Sequence, residues 1–202
     1  MPRARGPAGL GLAVALLAAA AGPAAGPLRF DSELIRLEVR GDTLRVEGFY
    51  RYLASNRREA TPLVYPFPVD SLLGKAWPEA FAWRPAAGLP WQPVSATGRP
   101  GLSGRILVLP ADPSERPELR AVYAQLLLTN YARYIVTTTQ AWGEPLREAR
   151  FELTLPPGMQ LTESSFPFVR EGKCWVFETT DFMPAVDIIV RWGPAAPAAR
   201  TP

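Results

Sequence analysis

The chain of 202 residues contains no histidine, and this absence excludes several classes of catalysis. Serine and cysteine triads, histidine acid–base chemistry and nearly all zinc sites depend on an imidazole ring. A glycine-rich phosphate-binding loop is absent as well. The sequence therefore predicts a protein that is not an enzyme and that carries no cofactor.

Cysteine is nearly absent too. Cys174 is the only one, so no intrachain disulfide can form and the stability of the fold must come from packing. Cys174 lies in the strand-like segment KCWVFE, whereas a reactive thiol needs an electropositive and partly exposed setting. We expect it to be a small buried core residue; a redox or crosslinking role is the alternative.

Long hydrophobic runs are confined to the N-terminus. Arg3 and Arg5 precede a 13-residue run of mostly Ala and Gly from Gly9 to Ala21, followed by the small residues GPAAG. This order is typical of a secretory signal peptide, and the run is shorter than the roughly 20 apolar residues that a membrane-spanning helix needs. The sequence predicts a signal peptide over residues 1–25 and export to the periplasm or beyond, with no transmembrane segment after cleavage.

The charge balance of the exported part excludes nucleic acid as the main partner. Without Arg3 and Arg5 the chain has 20 basic and 19 acidic side chains, and its longest basic run is Arg57-Arg58. A surface that tracks phosphates needs clustered Lys and Arg. The remaining partner classes are an envelope or extracellular protein, or a glycan.

Between the termini, apolar residues mostly alternate with polar ones. Ile35, Leu37 and Val39 alternate with charged residues, and later segments rich in Val, Ile, Thr and aromatics are separated by turn sequences. The pattern predicts an all-β protein, an immunoglobulin-like antiparallel β-sandwich of one domain over residues 26–192. Residues 193–202, rich in Pro and Ala, are predicted to be a disordered tail.

One segment fits two structures. In Leu119–Leu128 the apolar residues fall at helical spacing, although the same residues also fit a strand that forms a hairpin with RYIVTTT, residues 133–139. We favour the strand because a lone helix in a chain of strands needs a special place to pack.

Arg40-Gly41-Asp42 is the tripeptide that integrin receptors recognise, but a tight turn explains it as well. If Gly41 and Asp42 are the central residues of a hairpin, Val39 faces Leu44 and all apolar side chains share one face. Arg36 then faces Glu47, and Glu38 faces Arg45. We therefore interpret Gly41 and Asp42 as a structural turn of type I′ or II′.

The stretch Gly74–Gly104 carries three tryptophans and five prolines and reads as a long irregular segment. Such segments often carry function. Trp77, Trp83 and Trp91 are therefore candidate ligand-binding residues that would stack on a sugar or a proline, although tryptophans more often pack onto the core.

Carboxylates supply the remaining candidate chemistry. Asp70, Glu178, Asp181 and Asp187 are the candidate acids for a hydrolase with a carboxylate pair. Glu178, Asp181 and Asp187 could together supply oxygen ligands to a metal ion such as Ca²⁺. Their spacing matches no known calcium loop, so solvated or turn-forming acids are the alternative.

Thr61–Gly74, with the sequence TPLVYPFPVDSLLG, follows the strand VEGFYRYLASN. This opening resembles VIT-type domains, which are secreted β-sandwich modules, and related exported bacterial proteins. The resemblance covers roughly residues 44–74 and implies a fold and an extracytoplasmic setting; it implies no site.

Together these features lead us to expect an exported structural or protein-interaction module, with a glycan-binding module or a carboxylate-dependent glycan hydrolase as alternatives.

Overall fold

The computed structural model describes residues 28–53, 59–98, 103–111 and 116–195. The predicted signal peptide lies outside these ranges, as do residues 196–202 of the predicted tail. The last strand ends at Pro194, so the folded domain continues past the predicted boundary at residue 192. Within the described ranges, no helix is long and apolar enough to span a membrane.

Fourteen strands and one 3-10 helix make up the described structure. In chain order they are β1 (Arg29–Arg40), β2 (Thr43–Leu53), β3 (Thr61–Pro66), β4 (Leu73–Arg84), β5 (Gln92–Pro93), β6 (Ala96–Thr97), β7 (Gly104–Leu109), β8 (Glu118–Leu127), β9 (Tyr131–Tyr134), the 3-10 helix (Thr137–Trp142), β10 (Leu146–Thr154), β11 (Met159–Ser164), β12 (Val169–Glu171), β13 (Cys174–Phe182) and β14 (Ile188–Pro194).

The strands form three sheets around one core. The large sheet has the order β12-β13-β10-β1-β2-β8-β4-β5, and the two small sheets have the orders β11-β14-β9 and β3-β7-β6. Buried side chains from all three sheets belong to one hydrophobic cluster. The predicted all-β sandwich is confirmed; its immunoglobulin-like strand arrangement stays a prediction.

The prediction of purely antiparallel pairing is wrong for one pair of strands. β1 and β10 run parallel, with Ile35 opposite Phe151 and Leu37 opposite Leu153. Parallel neighbours need a long crossover connection, and here more than a hundred residues separate the two strands in the chain. This pairing places β1 in the middle of the large sheet.

The β1–β2 hairpin has the predicted register. Val39 faces Leu44, Arg40 faces Thr43, and the apolar side chains share the buried side. Gly41 has a φ of 60° and Asp42 has no positive φ, which is the pattern of a type II′ turn. The turn and the packing of the strands therefore account for Gly41 and Asp42.

Residues 118–127 form a strand, as favoured, but with different partners from those predicted. β8 pairs with β2 and β4, whereas β9 pairs with β14 and residues 137–142 form the 3-10 helix. The predicted hairpin with residues 133–139 is therefore wrong. Both faces of β8 are largely buried, so apolar residues occur on both of them. Taken together in the sequence, these residues have the spacing expected of one face of a helix.

The predicted irregular segment over residues 74–104 is also wrong in its first part. β4 runs from Leu73 to Arg84, and the short strands β5 and β6 follow before Gly98. Pro78 is accommodated because the register of β4 shifts between Pro78 and Ala80, and bulges are where strands tolerate proline.

Candidate binding face

The outward side of the large sheet carries alternating arginines and glutamates, which we call the arginine–glutamate face. Side chains alternate along a strand, so the polar positions between the core residues of β1 and β2 project to this side. Directly paired residues of neighbouring strands project with them. The principal members are Arg36, Glu47, Arg51, Arg84, Glu118, Arg120, Arg150, Glu152 and Glu178.

Glu118 is the most buried charge of this face. Its side chain is 7% exposed, and it accepts hydrogen bonds from Arg51 Nε at 2.9 Å and Arg84 Nε at 2.6 Å. A buried carboxylate is tolerated when its oxygens are hydrogen-bonded to cations. Glu118 thereby holds two guanidiniums from different strands in fixed positions.

Glu152 organises the other half of the face. It accepts hydrogen bonds from Arg36 Nε at 3.2 Å and Arg150 Nε at 2.9 Å. Burial by itself raises the pKa of Glu152, but the hydrogen bonds and charges of Arg150 and Arg36 outweigh it and hold this pKa below its usual value. Arg150 also donates to Glu178, which extends the network towards β13.

Two aromatic rings lie among these charges. The guanidinium of Arg36 lies 5.5 Å from the centre of the Phe49 ring, and that of Arg84 lies 4.2 Å from the Trp91 ring. The centres of the Phe49 and Trp91 rings are 6.2 Å apart. Cation–π contacts of this kind restrict the guanidinium planes, so the face is ordered by rings as well as by carboxylates.

A groove of about 380 Å³ opens on this face, with Arg36, Arg51 and Phe49 among its lining residues. The side chains of Arg36 and Arg51 are 51% and 60% exposed. Each donates through Nε to one glutamate, and within the described residues neither forms another hydrogen bond or ion pair. Their terminal nitrogens are therefore available to an acceptor that approaches from solvent.

The structure separates the three candidate tryptophans. Trp77 projects from β4 on the outward side opposite Ala124 and is 40% exposed, and Trp91 is half-buried against Arg84. Trp83 points inward and is 2% exposed. The assignment of Trp83 to a ligand site is therefore wrong, because its ring belongs to the core.

The three acids proposed as metal ligands do not come together. Among the described residues, no group of three acidic, cysteine or histidine side chains is placed to hold a metal ion. Asp187 instead accepts a hydrogen bond from Arg133 on Oδ2 at 2.8 Å, and bonds from the backbone N–H groups of Val136 and Thr137 on Oδ1 at 3.1 Å. Asp187 thereby fastens the start of the 3-10 helix.

Burial by itself raises the pKa of Asp187, but hydrogen bonds from Thr137 and Arg133 outweigh it and lower this pKa below its usual value. Glu178 is the exposed partner of Arg150, and Asp181 adopts a positive φ of 51° in β13.

Asp70, the further acid proposed for a hydrolase, is also used structurally. Its Oδ1 accepts the backbone N–H of Leu72 at 2.9 Å, and its Oδ2 accepts the Tyr131 hydroxyl at 3.0 Å. Cys174 is half-buried rather than buried, and its Sγ lies 3.4 Å from Thr154 Oγ1. Cys174 is the first residue of β13.

One buried acid was missed from the sequence. Glu33 is 7% exposed and lies on the inward side of β1, opposite Tyr50. The sequence pattern could have identified it. If the alternation of Ile35, Leu37 and Val39 is extended back by two residues, Glu33 falls on the buried face.

No protein-family model matches the chain, and no curated protein matches it. Its fold is similar to solved structures of zinc metallopeptidases. An M1 zinc metallopeptidase from Deinococcus radiodurans has 16% identity and a TM-score of 0.46 over 84% of this chain. A two-domain M1 zinc metallopeptidase mutant bound to L-arginine has 16% identity and a TM-score of 0.48 over the same share. The chain spans 44% of the length of these structures, and its resemblance to VIT-type domains stays a prediction.

Proposed function

We propose that the protein is an exported, non-enzymatic β-sandwich module that binds another envelope or extracellular protein through the arginine–glutamate face. The observation that carries the proposal is the pair of exposed guanidiniums, Arg36 and Arg51, each hydrogen-bonded to one glutamate, with Arg36 over the Phe49 ring. Arginine and aromatic side chains are enriched at the centres of protein interfaces. The immunoglobulin-like topology and the export of the chain belong to this proposal and rest on the sequence.

The chemistry of the face favours a partner that presents carboxylates. Arg36 and Arg51 each hold one glutamate through Nε and keep their terminal nitrogens towards solvent. A guanidinium binds a carboxylate best through two parallel N–H donors. The groove between them would accept an acidic segment whose side chains reach both guanidiniums.

The fixed positions of the guanidiniums support binding rather than simple solvation. Glu118 and Glu152 are mostly buried, so the arginines that they hold lose little further freedom when a partner binds. Preorganisation of this kind lowers the cost of association. A free surface arginine would instead have to be ordered by the partner.

The double substitution Arg36→Glu and Arg51→Glu tests the proposal. Tagged wild-type and variant proteins would be crosslinked in the native envelope fraction and their co-purified proteins compared. We expect a partner that is retained by the wild type and lost from the variant, and whose retention falls with added salt because the contacts are charged.

Arg191→Glu is the matched control, because Arg191 is an exposed, ion-paired arginine on β14 in a different sheet. A co-purified protein that is lost equally from the control would point to a general charge effect. A partner that both variants retain would contradict the assignment of this face.

A glycan-binding module is a second candidate, favoured by the exposure of Trp77 and the position of Trp91 on the same face. Sugars stack on exposed aromatic rings. Titration of soluble glycans should then change the tryptophan fluorescence of the wild type, and Trp77→Phe or Trp91→Phe should reduce the change. Unaltered emission, together with rings that acrylamide does not quench, would exclude this function.

A further inference from the structure

A small cavity lies on the opposite, inward side of the large sheet. It has a volume of about 60 Å³ and is lined by residues of β1, β2, β3, β8 and β9 and of the 3-10 helix. Glu33 is the only charged residue among them. Glu33 also lines the groove of the arginine–glutamate face, but among the described residues it takes part in none of the ion pairs of that face.

Two features of the local sequence create this cavity. The register of β1 shifts between Phe30 and Ser32, so Phe30 and Glu33 both point inward, although an unbroken alternation would place them on opposite sides. On β2, Gly48 leaves room for the ring of Tyr50, because a Cβ at Gly48 would lie 2.2 Å from the Tyr50 hydroxyl. The bulge and the glycine therefore place Glu33 and Tyr50, which are paired across the two strands, in the lining of the same cavity.

Three tyrosine hydroxyls form a hydrogen-bonded chain in the cavity wall. The Tyr50 hydroxyl lies 2.7 Å from that of Tyr65 and 2.8 Å from that of Tyr134. Three hydroxyls have three donors and six acceptor lone pairs, and the two bonds use two of each. The chain therefore keeps about four acceptor positions and one donor.

Glu33 adds further acceptors without donors when it is ionised. Its Oε1 is buried and has no hydrogen-bond partner in the described structure, and burial raises its pKa to about 8. A buried carboxyl without a partner is costly and rare. When Glu33 is ionised, the polar lining therefore has an excess of acceptors and a negative charge, and among the described residues no cation is paired with it.

The remaining walls are aromatic. The centre of the Phe30 ring lies 5.4 Å from that of Tyr52 and 5.8 Å from that of Trp142, and Tyr52 and Trp142 are also 5.8 Å apart. The negative faces of aromatic rings attract cations, and rings grouped around an acid are the chemistry that recognises ammonium ligands.

From this geometry we propose that the cavity binds a small primary ammonium cation, with its charge against Glu33 and its N–H groups on the tyrosine hydroxyls. A primary ammonium carries three donors and no acceptor, which matches the excess of acceptors. An anion would meet the Glu33 carboxylate, and a neutral apolar molecule would leave the acceptors without partners. The small volume limits the ligand to a short alkyl chain.

Binding of such a cation must be linked to pH. The titratable groups that line the cavity with Glu33 are Tyr50 from β2, Tyr65 from β3, Tyr123 from β8 and Tyr134 from β9, and burial raises the pKa of each. Glu33 also lines the groove together with the charged residues Arg36, Arg51, Arg84, Glu118, Glu148, Arg150 and Glu178, and among the described residues it forms no ion pair with them. The tyrosines stay neutral near pH 7, so Glu33 is the group that releases a proton when the cation binds. Affinity should rise about tenfold from pH 7 to pH 9, while the amine, with a pKa near 10.4, stays protonated.

Isothermal titration of the whole exported chain with methylammonium chloride tests the proposal. We expect saturable binding, with up to about one proton released at pH 7, measured from the binding heat in two buffers of different ionisation enthalpy. Glu33→Gln should weaken binding by about 10-fold or more and abolish the proton release. Glu38→Gln, on the outward side of the same strand, should leave both unchanged.

Tyr134→Phe provides a second variant, which should weaken binding severalfold with the Glu33 carboxyl intact. Tetramethylammonium, which has no N–H donor, and potassium ions should bind at least about tenfold more weakly than methylammonium. A folded wild type without saturable binding would overturn the proposal. Equal binding by wild type and Glu33→Gln, or by all three cations, would also overturn it.

Discussion

The pKa of a glutamate is shifted in opposite directions on the two sides of the large sheet. On the outward side, Glu152 receives two arginines, and its pKa lies below the usual value. On the inward side, Glu33 lines a cavity with aromatic residues, and burial raises its pKa to about 8. Their strands, β10 and β1, are neighbours, so position in the sheet does not explain the difference. Burial with arginine stabilises a carboxylate, whereas burial without a cation favours the neutral acid.

The two sides also differ in how tightly the backbone constrains them. Apart from the small cavity, inward positions belong to the buried core, where an added methyl group forces neighbouring atoms to move. Outward side chains are long, partly solvated and paired with several neighbours, and single charges there contribute little to stability. We therefore expect substitutions on the inward side to have the larger effects.

The largest expected effect is the pH dependence that Glu33 imposes on stability. Its folded pKa lies above the unfolded value near 4.5, so the folded state holds an extra proton between pH 4.5 and pH 8. The free energy of unfolding should therefore fall as pH rises through this window, by up to about 5 kcal/mol.

Glu33→Gln should remove this slope, and urea denaturation of both proteins at pH 5 and pH 8 measures it. Other groups also titrate in this range, so the difference between the two proteins isolates Glu33. Parallel pH profiles for wild type and variant would show that Glu33 is ionised or solvated, and the contrast between the two sides would fail.

Gly48→Ala should have the second largest effect. Its Cβ would overlap the ring and hydroxyl of Tyr50, and overpacking of a core costs about 1 to 3 kcal/mol. The displaced ring should also disturb the tyrosine chain. Gly193→Ala is the control, because a Cβ there lies at an ordinary 3.5 Å from Thr162. Equal melting temperatures for the two variants would contradict this packing.

Gly41→Ala should lower the free energy of unfolding by about 1 kcal/mol. Gly41 has a φ of 60° in the turn that sets the register between β1 and β2. A Cβ at this position would meet no atom within 4 Å, so the cost is backbone strain alone. Arg40→Ala, one residue earlier and outward, should be nearly neutral. Thermal melting checks both, and an unchanged melting temperature for Gly41→Ala would refute the turn.

The smallest effect is expected on the outward side. Glu152→Gln should lower stability by about 0.5 kcal/mol at pH 7, since the pair is partly screened by solvent. The lowered pKa of Glu152 means that its contribution is present above pH 4.5 and is lost as pH falls through the folded pKa. Urea denaturation at pH 7 and at lower pH should show that the difference between the two proteins decreases as the pH falls. A loss as large as that of Gly48→Ala would remove the distinction between the two sides.

Local patterns predicted the local parts of the fold. The alternation around Ile35 and the glycine at position 41 predicted the β1–β2 hairpin residue by residue. The same reasoning predicted opposite-charge pairs across the ladder, but Arg36 contacts Glu152 and Arg45 contacts Glu79 and Glu47. A long side chain can pair with residues on either adjacent strand. One of the strands adjacent to β1 is β10, which lies more than a hundred residues away in the chain.

The candidate site was predicted less well for a related reason. Trp77, Trp83 and Trp91 are close in sequence, but a strand sends Trp77 outward and Trp83 inward. The sequence made Asp187 a candidate metal ligand. In the structure it accepts hydrogen bonds from backbone N–H groups about fifty positions earlier and so anchors the start of the 3-10 helix. Sequence spacing does not contain these contacts.

By itself, the sequence determined the all-β class through side-chain alternation, and the β1–β2 hairpin with its register through alternation and turn chemistry. Its composition determined that histidine-based catalysis is excluded. Only the tertiary structure decided which strands flank β1, which acids pair with arginines, and that Glu33 lines one cavity with the three hydrogen-bonded tyrosines. These pairings join residues far apart in the chain. Whether a buried carboxyl has a cation beside it, and therefore its charge, depends on those distant neighbours.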